Sequence, residues 1–352
     1  MEFAFTDEQH MIAETARAYF VENATSARTR EAMAGDGIDR ALWQGYCQEL
    51  GFSGIAIPED RGGSGLGLVE LAIIAEAAGS QVAALPMLGS VVQAAQAIAA
   101  GGSEAQRSAW IAGLLSGETI AAFVEDAGLK ESEGRLTGTS RFVTHGGSAE
   151  VLVVSNGRRA WIVRADTPGV SVDVPTSMDQ TRPLASVRLD GAVGDPLADP
   201  AAALASSYRA SLVAVAAEAL GGAQECLDRT VAYSKERVQF GRPIGSFQAY
   251  KHRLADMMIE IEQARSAVYW AACAVDEGSP DAELSLHAAK AFCTDTFFRC
   301  AGDMIQLHGG IGFTWEHDAH LFFKRARSLQ SMLGNGNWHR ERIATMILGE
   351  AA

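Results

Sequence analysis

Three regimes of hydrophobic periodicity run along the chain, and they predict a helical, β, helical order. From Thr6 to about Gly117 apolar residues recur at helical spacing, as at Trp43, Cys47 and Leu50, and Thr6 with Gln9 three residues on forms a capping-box signature. Pro58-Glu59-Asp60-Arg61-Gly62-Gly63-Ser64-Gly65 interrupts this region as a glycine-rich loop, after which Val69 to Ala78 resumes an apolar helix. Between Thr119 and about Asp199 the period shortens to alternation and β-branched runs at Arg141-Phe142-Val143-Thr144, Val151-Leu152-Val153-Val154, Trp161-Ile162-Val163 and Ser186-Val187-Arg188-Leu189. Gly146-Gly147, Asn156-Gly157 and Pro168-Gly169 separate them, as in antiparallel strands with tight connections. Helical spacing returns from Ala201, through Leu212, Val215, Ala219 and Leu220 and then Leu254, Met257, Ile261, Ala264 and Val268, and suits a bundle. The expected class is α+β, mainly α, with an N-terminal helical domain at 1–118, a shortened middle antiparallel β domain at 119–199 and a C-terminal helical bundle at 200–352.

Composition narrows the function. A chain of 352 residues with 48% hydrophobic content can bury a large core. A net charge of -14 argues against nucleic acid, since phosphate neutralisation needs clustered Lys and Arg. The opening Met1-Glu2-Phe3-Ala4-Phe5-Thr6-Asp7-Glu8 has neither the basic nor the apolar region of a secretory leader, and no run reaches the roughly 18 apolar residues of a membrane span. Five cysteines, Cys47, Cys226, Cys273, Cys293 and Cys300, lack CxxC spacing and read as reduced core thiols of a cytoplasmic protein, with no metal site. The glycine-rich loop lacks the Gly-Lys-Ser/Thr ending of a P-loop and follows no clear strand, so a structural role is expected.

Two segments carry the chemistry: Arg237-Val238-Gln239-Phe240-Gly241-Arg242-Pro243-Ile244 and, about seventy residues later, Gln306-Leu307-His308-Gly309-Gly310-Ile311-Gly312-Phe313. A dinucleotide needs positive charge or aligned N–H donors at its pyrophosphate and apolar surface for its adenine, with a helix N-terminus after a glycine turn as one source of donors. Arg237 and Gly309-Gly310 meet those needs. Together the segments, with Ser246-Phe247-Gln248 and Leu254-Ala255-Asp256-Met257 between them, resemble the C-terminal signature of the FAD-dependent acyl-CoA dehydrogenase family, and the resemblance covers nearly the whole chain. It implies a C-terminal four-helix bundle. It also implies that Arg237, Gln239, Phe240, Gln306, Gly309 and Gly310 contact the ADP half of FAD bound mainly by a neighbouring subunit: Arg237 pairing with pyrophosphate, the two glutamines hydrogen-bonding polar edges and Phe240 supporting the packing. Ile244 and Phe247 fall where the family places adenosine contacts, and they suit a core equally well.

What the resemblance leaves out is as informative. Dehydrogenation of an acyl-CoA sends the α-proton to a carboxylate while the β-hydrogen leaves as hydride to the flavin. One placement of that carboxylate in the family falls here on Leu333, in Leu333-Gly334-Asn335, and the other at or near Ser211; neither is a base. Glu218 and Glu225 lie on the same helical run as Ser211 but read as surface or ion-pair carboxylates. Glu316 matches a noncatalytic family Glu, and His308 and His317 qualify only by residue type. The family's Thr-Glu-Pro-x-Ala-Gly-Ser-Asp flavin cradle is reduced to Val124-Glu125-Asp126-Ala127-Gly128-Leu129-Lys130, and its Trp-Ile-Thr segment survives loosely as Phe142-Val143-Thr144-His145-Gly146-Gly147.

This asymmetry resembles the base-lacking subunit of two-gene bacterial α2β2 acyl-CoA dehydrogenases, many tied to sterol side-chain or ring breakdown, as does Gly312-Phe313-Thr314-Trp315-Glu316-His317-Asp318-Ala319-His320-Leu321. The implied partners are an acyl-CoA substrate, a second acyl-CoA dehydrogenase subunit and an electron-transfer flavoprotein or similar acceptor. Two alternatives stand beside it: a self-sufficient homotetramer with a relocated base, and a flavin-free structural or CoA-binding homologue.

Overall fold

The structure, a computed structural model, describes residues 5–349; Met1–Ala4, part of the segment read above as no leader, lies outside them. The described chain is mainly helical with a small β region in its middle, as expected, and divides into two units. One comprises residues 5–26, 68–83 and 212–349, the other 27–67 and 84–211.

The first helix, α1 (Asp7–Asn23), begins where the Thr6 hydroxyl accepts the Gln9 N–H and the Gln9 side chain accepts the Thr6 N–H, the capping box read from sequence. After α2 (Ser26–Ala34) and α3 (Arg40–Gln44), the helix widens into a π-helical turn, Gly45–Glu49. Trp43 and Cys47 are buried there, while Leu50 stands at its end. In the glycine-rich loop, Ser64 N–H donates to the Gly54 carbonyl, Gly65 to Ile57 and Leu66 to Ile55. These N–H donors are spent on the chain itself, and a Cβ at Gly63 would lie 2.1 Å from the Ile57 carbonyl oxygen, as suits a structural loop. Next come α4 (Leu68–Ser80), buried almost all round, a π-helical segment Leu88–Ala95 running into α5 (Gln96–Gly101), and α6 (Glu104–Ser116).

The β region comprises β1 (Ala121–Glu125), β2 (Lys130–Ser132), β3 (Arg135–Thr144), β4 (Val151–Ser155), β5 (Ala160–Arg164), β6 (Val170–Asp173), β7 (Leu184–Val193) and β8 (Asp195–Pro196). They form two four-stranded sheets of order β1-β4-β5-β8 and β2-β3-β7-β6. All pairs are antiparallel except β1 with β4, whose parallel register sets Ala121 beside Val151. Alternation explains the layering: Ala121, Val151 and Val153 pack with Ala94, Ala97, Ile98 and Leu114, whereas Ala122, Val124, Leu152 and Val154 pack with Leu136, Val187 and Leu189 of the second sheet. Because β4 is buried on both faces, it reads in sequence as an apolar run rather than an alternation.

The long α7 (Pro200–Glu236) spans the division between the units. It is followed by a hairpin of β9 (Val238–Gln239) and β10 (Arg242–Pro243), then α8 (Gln248–Asp276), α9 (Ala282–His308), α10 (Ala319–Ser331) and α11 (Gly336–Leu348). The Asp276 carboxylate caps α4 by accepting the Leu68 and Val69 N–H groups at 2.9 and 3.0 Å. A Cβ at Gly79 would lie 2.1 Å from the Glu218 carbonyl oxygen and one at Gly221 1.8 Å from that of Glu76, so α4 and α7 cross backbone to backbone. One residue on, a Cβ at Gly222 would lie 2.3 Å from the Phe297 ring. By contrast, a Cβ at Gly302, inside α9, meets nothing nearer than 3.9 Å.

All five cysteines are free; Cys47, Cys226, Cys293 and Cys300 are buried core thiols, Cys273 is half-buried, and burial pushes the Cys47 thiol up to about 12. No helix among the described residues is long and apolar enough to cross a membrane. The glycine geometry yields a paired expectation in urea unfolding. Gly221→Ala loses stability at the upper end of the about 1–3 kcal/mol typical of core overpacking, whereas Gly302→Ala gains about 0.5–1 kcal/mol from helix propensity.

Candidate functional site

The segment Arg237–Pro243 forms a protruding two-residue hairpin. The last hydrogen bond of its helix runs from Arg237 N–H to the Tyr233 carbonyl at 2.9 Å, and Ile244 N–H closes the hairpin onto the Arg237 carbonyl at 2.8 Å. Phe240 and Gly241 occupy its two central positions with φ of 52° and 77°, the pair of positive values that a type I′ turn demands. Glycine adopts that conformation freely, and a bulky aromatic does so at a cost. Yet Phe240 leaves 91% of its surface exposed, with the Phe247 ring edge-on to it at 6.2 Å and the Arg242 guanidinium 4.1 Å over the Phe247 ring. A strained, exposed aromatic thus stands beside the exposed Arg237 and Gln239, where a ligand or partner can reach it.

Gln306 is exposed on the last turn of α9, and Gly309, at φ 63° and ψ −141°, ends that helix. A Cβ at Gly309 or Gly310 would meet nothing within 4 Å, so open space lies in front of both. The turn therefore sits at the negative, C-terminal end of a helix, not at an N-terminus, and the Gly309 N–H is already given to the Gln306 carbonyl. The Arg237 guanidinium is exposed and therefore open to a pyrophosphate. The 3-10 turn Gly309–Phe313 then carries out the ring of Phe313, 85% exposed, and Lys324 covers the exposed Trp315 ring at 4.2 Å.

The candidate bases are each accounted for. Ser211 is buried, and its hydroxyl donates to the Ser207 carbonyl at 2.6 Å. Glu218 is buried in an ion pair with Arg325, so it is a core carboxylate held as the anion by a permanent cation. Glu225 pairs with Arg229 at 2.7 Å, and Glu316 is exposed. The His308 ring is buried with Nδ1 donating to the Met304 carbonyl at 2.7 Å, and burial depresses its pKa. His317 accepts the Ala319 N–H on Nδ1 at 3.1 Å. Of the three carboxylates, Glu218 and Glu225 are paired with arginines and Glu316 lies exposed.

Leu333 retains an unusual loop geometry. Its φ is 55°, and Gly334 follows at 96°. Lys290, fully buried, donates its ammonium to the Gly334 carbonyl at 2.5 Å and the Gln330 carbonyl at 3.2 Å, and burial drives its pKa down to about 8. Behind the loop the Nδ1 atoms of His287 and His339 lie 2.7 Å apart and share one proton, with desolvation lowering His339 to about 4. No sequence signal pointed to this Lys and His cluster, because its members are spread over two helices and match no motif.

The remnant flavin cradle also spends its donors internally. Gly128 N–H donates to the Asp126 carboxylate at 2.7 Å, Leu129 N–H to the Asp126 carbonyl at 3.0 Å, and the Ser140 hydroxyl to the Glu125 carbonyl. Phe142 bulges from β3 at φ 66°, 76% exposed.

Residues 6–118 match the acyl-CoA dehydrogenase N-terminal domain and residues 209–348 the acyl-CoA dehydrogenase C-terminal domain. The acyl-CoA dehydrogenase IpdE2 of Mycobacterium tuberculosis is 37% identical over 93% of this chain and 93% of its own length. The protein of that name from Mycolicibacterium smegmatis is 34% identical over 94% and 95%. Among solved structures, the ChsE4-ChsE5 complex from Mycobacterium tuberculosis superposes with a TM-score of 0.91 at 29% identity, covering 100% of both chains. The chain belongs to the acyl-CoA dehydrogenase family of FAD-dependent oxidoreductases.

The residues at the hairpin and the α9 turn fit the ADP half of that cofactor: an exposed guanidinium, an exposed aromatic, two exposed amides and open space before two glycines. Arg237→Met is expected to weaken FAD binding by about ten- to a hundredfold, the equivalent of one lost charge-assisted contact, in a flavin-fluorescence titration. A second expectation concerns pH. Because the folded pKa of His339 lies below that of a free histidine, the unfolded chain alone takes up the proton between pH 6.5 and about 4, and stability falls as pH drops through that window. His339→Phe should flatten this part of the urea-midpoint profile.

Proposed function

We propose that this chain serves the α,β-dehydrogenation of an acyl-CoA thioester as one subunit of a heterotetramer. It supplies Arg237, Gln239, Phe240, Gln306, Gly309 and Gly310 to the ADP half of FAD, while a second acyl-CoA dehydrogenase subunit supplies the base, the thioester site and the isoalloxazine contacts. Bound FAD provides the hydride acceptor. The observation that carries the proposal is the fate of the carboxylates: Leu333 and Ser211 cannot take a proton, and Glu218 and Glu225 are each committed to an arginine.

The likeness to a complex of two differently named chains supports the heteromeric reading, and the likeness to a variant of the steroid ACAD Tcur3481-Tcur3483, with a TM-score of 0.87 at 31% identity, supports a steroid-derived acyl-CoA. Under this reading segments 1–118, 119–199 and 200–352 act as the three modules of a cytoplasmic enzyme, with the cofactor contacts and oligomer interface in the last, and an electron-transfer flavoprotein or similar carrier accepts the electrons.

The test is flavin absorbance and native mass of the chain purified alone and after co-expression with its nearest genomic homologue. The expected outcome is a colourless chain that turns yellow in a mixed tetramer carrying FAD on half the subunits. A yellow homotetramer bleached by an acyl-CoA would overturn it in favour of a relocated base.

A further inference from the structure

The two segments assigned to FAD are far apart in sequence, and the structure shows how they are tied. The hairpin is flanked in sequence by two tyrosines, Tyr233 one turn before Arg237 and Tyr250 in the first turn of α8. Both reach the two residues that precede Gly309. The Tyr250 hydroxyl donates to the Leu307 carbonyl at 3.1 Å, and the Tyr233 ring stacks on His308 with centroids 4.4 Å apart and planes 21° from parallel. His317 closes the other contact of the His308 ring at 4.5 Å.

Each link has a chemical reason to persist. The Leu307 carbonyl belongs to the last turn of α9 and has no partner further along that helix, so the Tyr250 hydroxyl satisfies an acceptor that the helix end leaves open. Burial raises the Tyr250 phenol to about 12, so the group remains a donor across the whole working range of pH. The Met304 carbonyl can only accept, which puts a proton on His308 Nδ1 and fixes the ring against Tyr233.

We propose that Tyr233, Tyr250 and His308 are positioning residues: they clamp the Phe240 hairpin to the Gly309 turn, so that the FAD half-site is assembled before the cofactor arrives. The identity of the ligand rests on the function proposed above, while the clamp is a property of this chain. Preassembly moves an ordering cost out of the binding step, so loosening the clamp weakens affinity without removing a single contact to the ligand.

Two measurements test it. In hydrogen exchange on the purified chain, without flavin, Tyr250→Phe and Tyr233→Ala should speed exchange of the hairpin amides of residues 238–242 and 244 about tenfold while amides in the middle of α9 remain as in wild type, and Tyr233→Phe should restore slow exchange. In FAD titrations of whichever assembly of the wild-type chain binds flavin, mixed or homomeric, Tyr250→Phe should weaken binding about fivefold and Tyr233→Ala about tenfold, with Tyr233→Phe close to wild type. Unchanged hairpin exchange in both disruptive variants would overturn the clamp. So would unchanged affinity, or a Tyr233→Phe variant as impaired as Tyr233→Ala. A wild-type chain that binds no flavin in any assembly would sink the functional reading and leave the exchange arm to decide the clamp.

Discussion

The short stretch Glu218–Gly222 of α7 is the point on which the C-terminal helices depend. Gly221 and Gly79 bring α4 and α7 into backbone contact, Gly222 admits the Phe297 ring from α9, and the Glu218 carboxylate holds Arg325 of α10. Three helices are therefore located against one turn of a fourth. The arrangement requires glycine at two successive positions and an ionised carboxylate before them, because a buried guanidinium without its partner carries an uncompensated charge.

That structural demand has a functional consequence. Glu218 is one helical segment from Ser211, and on residue type alone it is the natural replacement for a missing base. Its ion pair removes it from that role, since a carboxylate held ionised against an arginine is a poor proton acceptor near neutral pH. Glu218 and Glu225 are both committed to arginines. Exposed charge stands at the Arg237 hairpin, whose exposed Phe240 ring sits in the backbone conformation that the turn requires.

Much of this was legible in the sequence, for identifiable reasons. The Thr6 and Gln9 capping box, the β4 and β5 runs and the long C-terminal helices follow from local rules, and the resemblance carried by the two FAD segments named the family. Other features were not legible. The parallel pairing of β1 with β4 depends on contacts between segments with no local signature. Which end of a helix the Gly309 turn occupies is not fixed by its sequence, because a glycine pair looks alike at either end. The Lys290, His287 and His339 cluster acquires meaning only when α9 and α11 are seen together, and the two tyrosines flanking the hairpin only when α7, α8 and α9 are.

The central claim is that this chain holds one half of FAD and lacks the means to use the other. The most direct measurement is the position of the cofactor in a cryo-electron microscopy map of the co-purified complex. The account predicts the pyrophosphate against Arg237, the adenosine beside Phe240 and the Gly309 turn, and the isoalloxazine ring wholly within the partner subunit. An isoalloxazine ring seated on Val124–Lys130 of this chain, with a carboxylate from this chain facing it, would contradict the account.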